Sequence, residues 1–261
     1  MAAVEASGRT VVDIPIDEGG LSVPDLVAAG DLSAVYVTPA HQHPLGMAMS
    51  AARRVAVLAE AQRRDILVVE DDYDSEFRYD VAPMPALAQL DPERVIYLGT
   101  TSKSLTPALR IGWLVTTPDR VQEIAQRRES RHDHPSWPIQ RALLALFEEG
   151  YLDRQIRSAR RLYAERSRLV ERRLAPFGSA GPTVAGMYLT LQTRSEVADF
   201  VTASARRQGV VIASLADYCR SSSRAGLVVG FGGVSDAQLD RALEILESAL
   251  REAGEHAAPV A

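Results

Sequence analysis

The sequence contains one cysteine and lacks a long uncharged apolar run. A single thiol, that of Cys219, excludes an internal disulfide framework and any metal site built from several thiolates. No apolar stretch approaches the ~20 residues that a membrane-spanning helix needs. The segment from Met1 to Thr10 has no apolar core, so we do not expect a signal peptide. These features predict a cytoplasmic protein without a membrane partner.

An excess of positive charge is also missing. The net charge is −5 at pH 7, so bulk charge does not recruit nucleic acid and we expect no direct nucleic-acid binding. His132 and His134 lack a third ligand, and we therefore assign no metal site. The 261 residues can bury a sizeable core in one large domain, or in a large and a small one.

The first half of the chain contains short apolar runs that predict buried strands. These runs cover residues 34–38, 66–69, 95–98 and 111–115. Helical spacing of apolar residues predicts a helix over residues 50–62. Strands that are apolar on both faces and alternate with helices predict a largely parallel sheet covered on both sides. The polar stretches 70–76 and 100–103 follow two of these strands, where ligands bind in such sheets.

The second half of the chain has a different character. Residues 139–174 predict two long helices interrupted by Gly150, and the arginines at 154, 157, 160 and 161 are interpreted as a solvated helix face. Beyond them, short strands alternate with helices, which predicts a smaller α+β domain. The predicted strands are 187–191, 210–212 and 227–229, and the predicted helices are 195–207 and 235–252.

The two polar stretches contain the side chains that a pyridoxal-phosphate (PLP) site requires. Such a site needs a lysine amine for the aldehyde and an acid for the pyridinium nitrogen. Lys103 offers the amine, and either Asp71 or Asp72 offers the acid. Tyr73 can meet the phenolic oxygen. The side chains suited to the phosphate are those of Thr100, Ser102 and Arg110. By composition alone, the acidic cluster could equally be a solvated loop or a magnesium site.

Three stretches of literal sequence are more specific than this composition. They are TPAHQHPLG at 38–46, EDDYDSEFRY at 70–79 and VIYLGTTSKSLTPALRIGW at 95–113. Their order and spacing closely resemble the aminotransferase-like domain of MocR/GabR-type regulators, which belong to the class I/II (fold-type-I) aminotransferases. The resemblance extends from about Val11 to about Leu250.

The resemblance implies a fold-type-I α/β fold and a role for each matching residue. Lys103 matches the Schiff-base lysine, Asp71 the pyridinium partner and Tyr73 the donor to the phenolic oxygen. The phosphate group is matched by Thr100, Ser102 and Arg110. His43 departs from the pattern, because an asparagine that touches the cofactor usually precedes the Pro-x-Gly turn. The imidazole can donate a hydrogen bond there, or simply pack in the turn.

The resemblance also implies what this sequence lacks. MocR-type proteins begin with a winged helix-turn-helix domain, and their aminotransferase domain has an early Gly-rich turn that holds the phosphate at a helix N-terminus. Residues 1–34 show neither pattern. We therefore expect an N-terminally truncated member, with residues 1–140 as an incomplete, mostly parallel PLP-binding large domain. Residues 141–261, including the linking helix, are expected to form the small C-terminal domain.

Substrate recognition is less well marked. The family binds a substrate carboxylate with an arginine near the last strand, where this chain has the apolar Val228. Arg224 is the nearest candidate, with an ordinary surface arginine as the alternative. The resemblance also implies an amino acid or amine as ligand and a homodimer. Three functions stay open: a PLP-dependent aminotransferase, a PLP- and amine-sensing domain of a split regulator, and a degenerate scaffold that no longer binds PLP.

Overall fold

The computed structural model describes residues 2–79, 84–181 and 185–256. The strands in chain order are β1 (Ile16–Asp17), β2 (Gly20–Leu21), β3 (Ala34–Val37), β4 (Leu67–Asp72), β5 (Val95–Thr100), β6 (Gly112–Val115), β7 (Ser179–Ala180), β8 (Tyr188–Gln192), β9 (Ala213–Ser214) and β10 (Gly226–Gly230). The helices are α1 (Ala2–Ala6), α2 (Val23–Ala28), α3 (Ala51–Arg64), α4 (Leu87–Leu90), α5 (Pro118–Glu129), α6 (Trp137–Glu148), α7 (Tyr151–Leu174), α8 (Ser195–Arg207) and α9 (Asp236–His256). Within the described ranges, no helix is long and apolar enough to cross a membrane.

The first sheet has the strand order β3-β4-β5-β6. Strands β3, β4 and β5 are parallel, and β6 pairs with β5 in the antiparallel direction. The predicted, mostly parallel sheet is therefore confirmed. Helix α3 lies between β3 and β4, as the apolar spacing predicted, and begins after Ser50, whose hydroxyl accepts a hydrogen bond from the Arg53 amide at 3.2 Å.

The two faces of this sheet differ in burial. Val35, Val68 and Val95 are register neighbours on one face, are at most 5% exposed, and share a core with side chains of α2 and α3. On the opposite face Tyr36 is 50% exposed, and its neighbour Val69 is only half-buried. The expected cover on both sides is therefore wrong for the part of the chain described, because α2 and α3 pack on the Val35 face.

The second sheet has the order β7-β8-β10-β9 and is antiparallel throughout. Its apolar side chains form one core with α7, α8 and α9, which agrees with the predicted α+β arrangement. The strand expected at 210–212 is wrong, and β9 begins at Ala213 instead. Val210 lies in the turn that ends α8, where Gly209 has φ +81° and the Val210 amide donates to the Ala205 carbonyl at 2.9 Å.

The two long helices predicted over 139–174 are confirmed as α6 and α7. Gly150 separates them and adopts a left-handed conformation with φ +63°, which glycine reaches without the steric cost of a Cβ. The arginines at 154, 157, 160 and 161 are exposed, as expected for a solvated face. Arg160 also donates to the Glu76 carbonyl at 2.7 Å, so this face contacts the loop after β4.

The strand β8 connects the second sheet to the loops around the first. The hydroxyl of Thr190 donates to the carbonyl of Pro44, and the amide of Gly186 donates to the carbonyl of Phe77 at 3.1 Å. Leu45 packs with Val228 in a small apolar cluster at the same junction. The predicted boundary near residue 140 stays a prediction, and these contacts show that the two sheets meet at the loops 38–46 and 73–79.

Candidate functional site

The carboxyl ends of β4 and β5 lie side by side at one edge of the first sheet. Asp71 is the register partner of Leu98, and Asp72 is the partner of Gly99. Both polar stretches singled out from the sequence therefore leave the sheet at the same edge, which is where open α/β sheets bind ligands.

Strand alternation gives the three acids at the end of β4 different surroundings. Glu70 is 2% exposed and accepts hydrogen bonds from the amides of Leu87 and Ala88 at 2.9 and 3.0 Å. Burial raises the pKa of Glu70, while the two amide donors act in the opposite direction. Glu70 thus holds the start of α4.

Asp72 is also engaged within the protein. Its carboxylate accepts from the Tyr97 hydroxyl at 2.8 Å and from the Ser75 hydroxyl at 2.6 Å. Asp71 projects from the other face of β4, where its carboxylate accepts a hydrogen bond from the Tyr36 hydroxyl. The Asp71 carboxylate thus accepts from one side chain on a half-open face, whereas the Asp72 carboxylate accepts from two. Asp71 is therefore better suited to accept a hydrogen bond from a ligand.

Lys103 follows β5 on a short, well-anchored loop. The buried Thr101 donates through its hydroxyl to the Ile111 carbonyl at 3.0 Å, and Ser104 is also buried. Lys103 between them is exposed. The anchored neighbours fix the backbone at position 103, and the Lys103 side chain extends from it into solvent.

The predicted phosphate residues surround this loop. The Thr100 hydroxyl donates to the Ser102 hydroxyl at 2.9 Å and accepts from the Ser102 amide at 3.1 Å. Arg110 is exposed and has a left-handed backbone with φ 53°, directly after the turn Pro107–Leu109. Thr100 and Ser102 are therefore brought together. Arg110 belongs to the short segment between this turn and β6.

Lys103 is also distinguished by composition. Of the 29 lysine and arginine residues it is the only lysine, and the other 28 are arginine. Arginine provides charge and hydrogen bonds but stays protonated, whereas a lysine amine can lose its proton and act as a nucleophile. This count is available from the sequence and marks the position where the chain has an amine rather than a guanidinium.

Two histidines and three tyrosines gather beside this edge of the sheet. The Tyr73 hydroxyl donates to the His41 carbonyl at 2.9 Å and lies 3.2 Å from the Tyr188 hydroxyl. The His43 ring meets the rings of Tyr188 and Tyr218 edge-on, with centroids 4.8 Å apart in both pairs. Burial raises the pKa of Tyr73 and of Tyr188, so both hydroxyls stay protonated at neutral pH.

His43 stays neutral at physiological pH. Loss of solvent around part of its ring, together with the charges of His41 and Lys103, lowers the pKa of His43 to about 4. A neutral imidazole donates from one nitrogen and accepts at the other, so His43 can donate a hydrogen bond to a ligand near Lys103.

A buried pair beneath these rings is not predicted from the sequence. His41 Nδ1 lies 2.7 Å from Asp74 Oδ2, and each residue is 1% exposed. The His41 ring stacks on Tyr188 with centroids 5.0 Å apart. His41 and Asp74 lie within the stretches 38–46 and 70–79 that resemble the family, so the sequence contained a signal for both residues. No sequence pattern marks Tyr188, which lies in β8, more than a hundred residues further along the chain.

Arg224 lies apart from these elements in sequence, in the loop 219–225 that leads into β10. It is exposed, and its carbonyl lies 3.8 Å from Cys219 Sγ. Val228, the position where an arginine was expected, is 7% exposed in the small apolar cluster with Leu45. The role of Arg224 in binding a carboxylate stays a prediction.

Comparison with known proteins identifies the family. The model of the aminotransferase class I and II family matches residues 2–246, and the chain belongs to this family. A probable rhizopine catabolism regulatory protein MocR of Rhizobium meliloti is 34% identical over 251 residues, which are 94% of this chain and 51% of that protein. Aromatic-amino-acid aminotransferase 1 of Thermococcus litoralis is 34% identical over 154 residues, 56% of this chain and 37% of that enzyme.

Solved structures give the same fold. The kynurenine aminotransferase of Pyrococcus horikoshii, solved with PMP, superposes with a TM-score of 0.82 at 26% identity, covering 92% of this chain and 63% of that one. The fold-type-I aminotransferase fold expected from the sequence is confirmed. The chain spans about half the length of the curated relatives that match most of it.

Proposed function

We propose that this chain is a PLP-dependent, aminotransferase-like protein that acts on an amino acid or amine through a Schiff base on Lys103. The observation that carries the proposal is the position of the only lysine, exposed on an anchored loop at the carboxyl end of β5. Imine formation requires an amine that can be deprotonated, and none of the 28 arginines can replace it.

The donor set at this edge of the sheet fits PLP. Asp71 offers an anionic acceptor for the ring nitrogen, on the half-open face of β4. The hydroxyls of Thr100 and Ser102 and the guanidinium of Arg110 offer donors for the phosphate. When bound, PLP supplies an electron sink for the bonds at the substrate α-carbon.

The other residues of the site orient groups and move protons. Lys103, when its amine is free, is the base that takes the substrate α-proton. His43, neutral at pH 7, can donate a hydrogen bond beside Lys103. Tyr73 donates to the His41 carbonyl in this structure, so it serves a cofactor oxygen only by exchanging that bond.

Arg224 is proposed to bind the substrate carboxylate. Replacing Arg224 with Gln should raise the KM of an amino acid about tenfold, and leave that of an amine without a carboxylate unchanged. Arg220 provides a matched control, because this nearby arginine is paired with Asp13 and Glu5 at the surface. Equal effects of Arg224→Gln on both substrates would remove Arg224 from the site.

The proposal is tested by trapping PLP on the protein with borohydride, followed by peptide mapping. Lys103 and the terminal α-amine are the only amines in the chain, so the map has two sites to separate. We expect label on Lys103 in the wild type and none at position 103 in Lys103→Arg. Label confined to the terminal amine, or no label at all, would reject the proposal.

A second candidate function is an amine-sensing domain that binds PLP without turnover. It is favoured by the 34% identity to a MocR regulator over 94% of this chain. Turnover separates the two candidates: an aminotransferase forms many equivalents of keto acid per chain, whereas a sensor shows a changed PLP spectrum with an amine and no product beyond one equivalent.

We also propose that the active form is a homodimer, as the family resemblance implies. Light scattering after size exclusion should give twice the 28.4 kDa chain mass. A monomer that traps PLP on Lys103 would reject the dimer and leave the cofactor proposal standing.

A further inference from the structure

Tyr188 brings a hydroxyl from the second sheet to the hydroxyl of Tyr73, which follows the first sheet. The two oxygens lie 3.2 Å apart, although the residues are 115 positions apart in the chain. Tyr188 is the first residue of β8, and both tyrosines are half-buried. The contact therefore joins the stretch 70–79, which resembles the family, to a part of the chain that no sequence pattern marked.

The direction of this hydrogen bond follows from the number of protons. Burial raises the pKa of both tyrosines, so each hydroxyl keeps its one proton at neutral pH. Tyr73 gives its proton to the His41 carbonyl at 2.9 Å, which is shorter than the 3.2 Å between the hydroxyls. Tyr188 is therefore the donor of the pair, and its second acceptor, the Gln42 carbonyl, lies at 3.4 Å. Both distances exceed the usual ~2.7–2.8 Å of a hydroxyl donor, so neither bond is strong in this structure.

The packing around Tyr188 fixes where its hydroxyl lies. The His41 ring stacks on the Tyr188 ring with centroids 5.0 Å apart, and the His43 ring meets it edge-on at 4.8 Å. Gly186 lets the chain before β8 come this close, because a Cβ at that position would lie 2.6 Å from His41 Cε1. These ring contacts remain when only the hydroxyl is removed, so Tyr188→Phe isolates the hydrogen bond.

We propose that Tyr188 is a positioning residue for Tyr73, which it holds by a hydrogen bond while Tyr73 donates to the phenolic oxygen of PLP. A hydroxyl that donates to a strong acceptor becomes a better acceptor itself, because hydrogen bonds in a chain polarise one another. The Tyr188 proton then favours Tyr73 over the Gln42 carbonyl, and this bond is stronger in the loaded protein than in the free one. This inference rests on the proposed function, which gives Tyr73 its ligand; Tyr188 acts only through Tyr73.

The test is a double-mutant cycle on the affinity for PLP, measured by absorbance or fluorescence titration of the full chain. We expect Tyr188→Phe to raise the dissociation constant about three- to tenfold, the effect of one net hydrogen bond. Tyr73→Phe should raise it at least as much. In the Tyr73→Phe background, Tyr188→Phe should change it by about twofold at most, because Tyr188 has lost the hydroxyl through which it acts.

A spectroscopic readout separates positioning from a general loosening of the site. A hydrogen bond to the phenolic oxygen favours the form in which that oxygen carries negative charge. Tyr73→Phe should therefore raise the pH midpoint of the visible absorbance of bound PLP, and Tyr188→Phe should raise it by a smaller amount. Thr190→Val is the matched control, because the Thr190 hydroxyl holds the same strand to the Pro44 carbonyl. This control should lower the free energy of unfolding and leave both the affinity and the midpoint unchanged.

Three outcomes would overturn the role of Tyr188: an unchanged affinity and midpoint in Tyr188→Phe, equal effects of Tyr188→Phe with and without the Tyr73 hydroxyl, or an equal loss of affinity in Thr190→Val. The fate of the proposed function is read separately in the wild type, from borohydride trapping on Lys103. Trapping on Lys103 together with any of these outcomes would keep the function and reject the inference. A wild type without trapped PLP would reject both.

Discussion

The indole ring of Trp113 lies directly over the Cα of Gly99. The two residues are register partners in β6 and β5, and a Cβ built on Gly99 would stand 2.3 Å from Trp113 Cε2. Real Cβ atoms essentially never come within 3.0 Å of another non-bonded heavy atom. The absence of a side chain at position 99 therefore lets the Trp113 indole lie across β5 just before the loop that holds Lys103.

Gly99→Ala should destabilise the protein by about 1–3 kcal/mol, because either the indole or the backbone of β5 must move. Urea denaturation at pH 7 measures the loss. Gly233→Ala is the matched control, since a Cβ there meets no atom within 4 Å. Trp113→Ala in the Gly99→Ala background should recover part of the loss; a Gly99→Ala protein as stable as the wild type would show that the contact does not constrain β5.

Thr190→Val should cost about 1–2 kcal/mol. The hydroxyl of Thr190 is buried and donates to the Pro44 carbonyl, so its removal leaves a buried acceptor unsatisfied. Thr202 is a useful comparison, because its buried hydroxyl has no partner among the described residues. Thr202→Val should be neutral within ±0.5 kcal/mol in the same denaturation experiment. Equal costs for the two variants would assign the loss to volume or shape rather than to the hydrogen bond.

His43 should make stability fall in acid. Its pKa is lowered from 6.5 in the unfolded chain to about 4 in the fold, so the unfolded state binds more protons between these values. The contribution is complete above pH 6.5 and is lost as the pH falls toward 4. Because His43 is partly exposed, we expect at most ~1 kcal/mol.

The measurement for His43 is the free energy of unfolding at pH 7 and pH 4.5, compared with His43→Asn. The carboxyl groups titrate in the same pH range, and their contribution cancels when the change in unfolding free energy of His43→Asn is subtracted from that of the wild type. The wild type should lose more stability than His43→Asn between the two pH values. Parallel pH profiles would show that the imidazole titrates alike in both states.

Tyr36→Phe should tighten PLP binding about three- to tenfold, if the proposed cofactor site is correct. The Tyr36 hydroxyl donates to Asp71 Oδ2, and we propose that the ring nitrogen competes with Tyr36 for this oxygen. Fluorescence or absorbance titration gives the dissociation constant. Tyr97→Phe removes the equivalent donor from Asp72 and should have no effect. Asp71→Asn should weaken binding, and unchanged affinity in that variant would remove Asp71 from the site.

Much of the fold could be read from local patterns. The apolar runs at 66–69 and 95–98 predicted β4 and β5, because a strand buried between neighbours needs consecutive apolar residues. The helix from Ala51 to Arg64 followed from apolar spacing and the cap at Ser50. Local pattern failed at 210–212, because the same β-branched residues that suit a strand here finish the turn after α8.

The prediction that both faces of the first sheet are covered failed for a different reason. The run AVYV at 34–37 is apolar by composition, but Tyr36 points to a half-open face while Val35 is buried. Whether the second face of a strand is covered depends on elements far away in the chain. An apolar run therefore predicts a strand without predicting what packs on each side.

For the site, the sequence by itself determined the chemistry that is present: one lysine, the acids at 70–72 and the hydroxyls at 100 and 102, each placed at a strand end. The family resemblance singled out Asp71, and the tertiary structure adds how the two aspartates differ: the hydroxyls of Tyr97 and Ser75 both donate to Asp72, whereas Asp71 accepts from Tyr36 on the half-open face. Only the tertiary structure decided the pairing of His41 with Asp74 and the stacking of Tyr188 on His41. Those contacts join distant segments, and no local propensity specifies a contact between residues that only the packing of two sheets brings together.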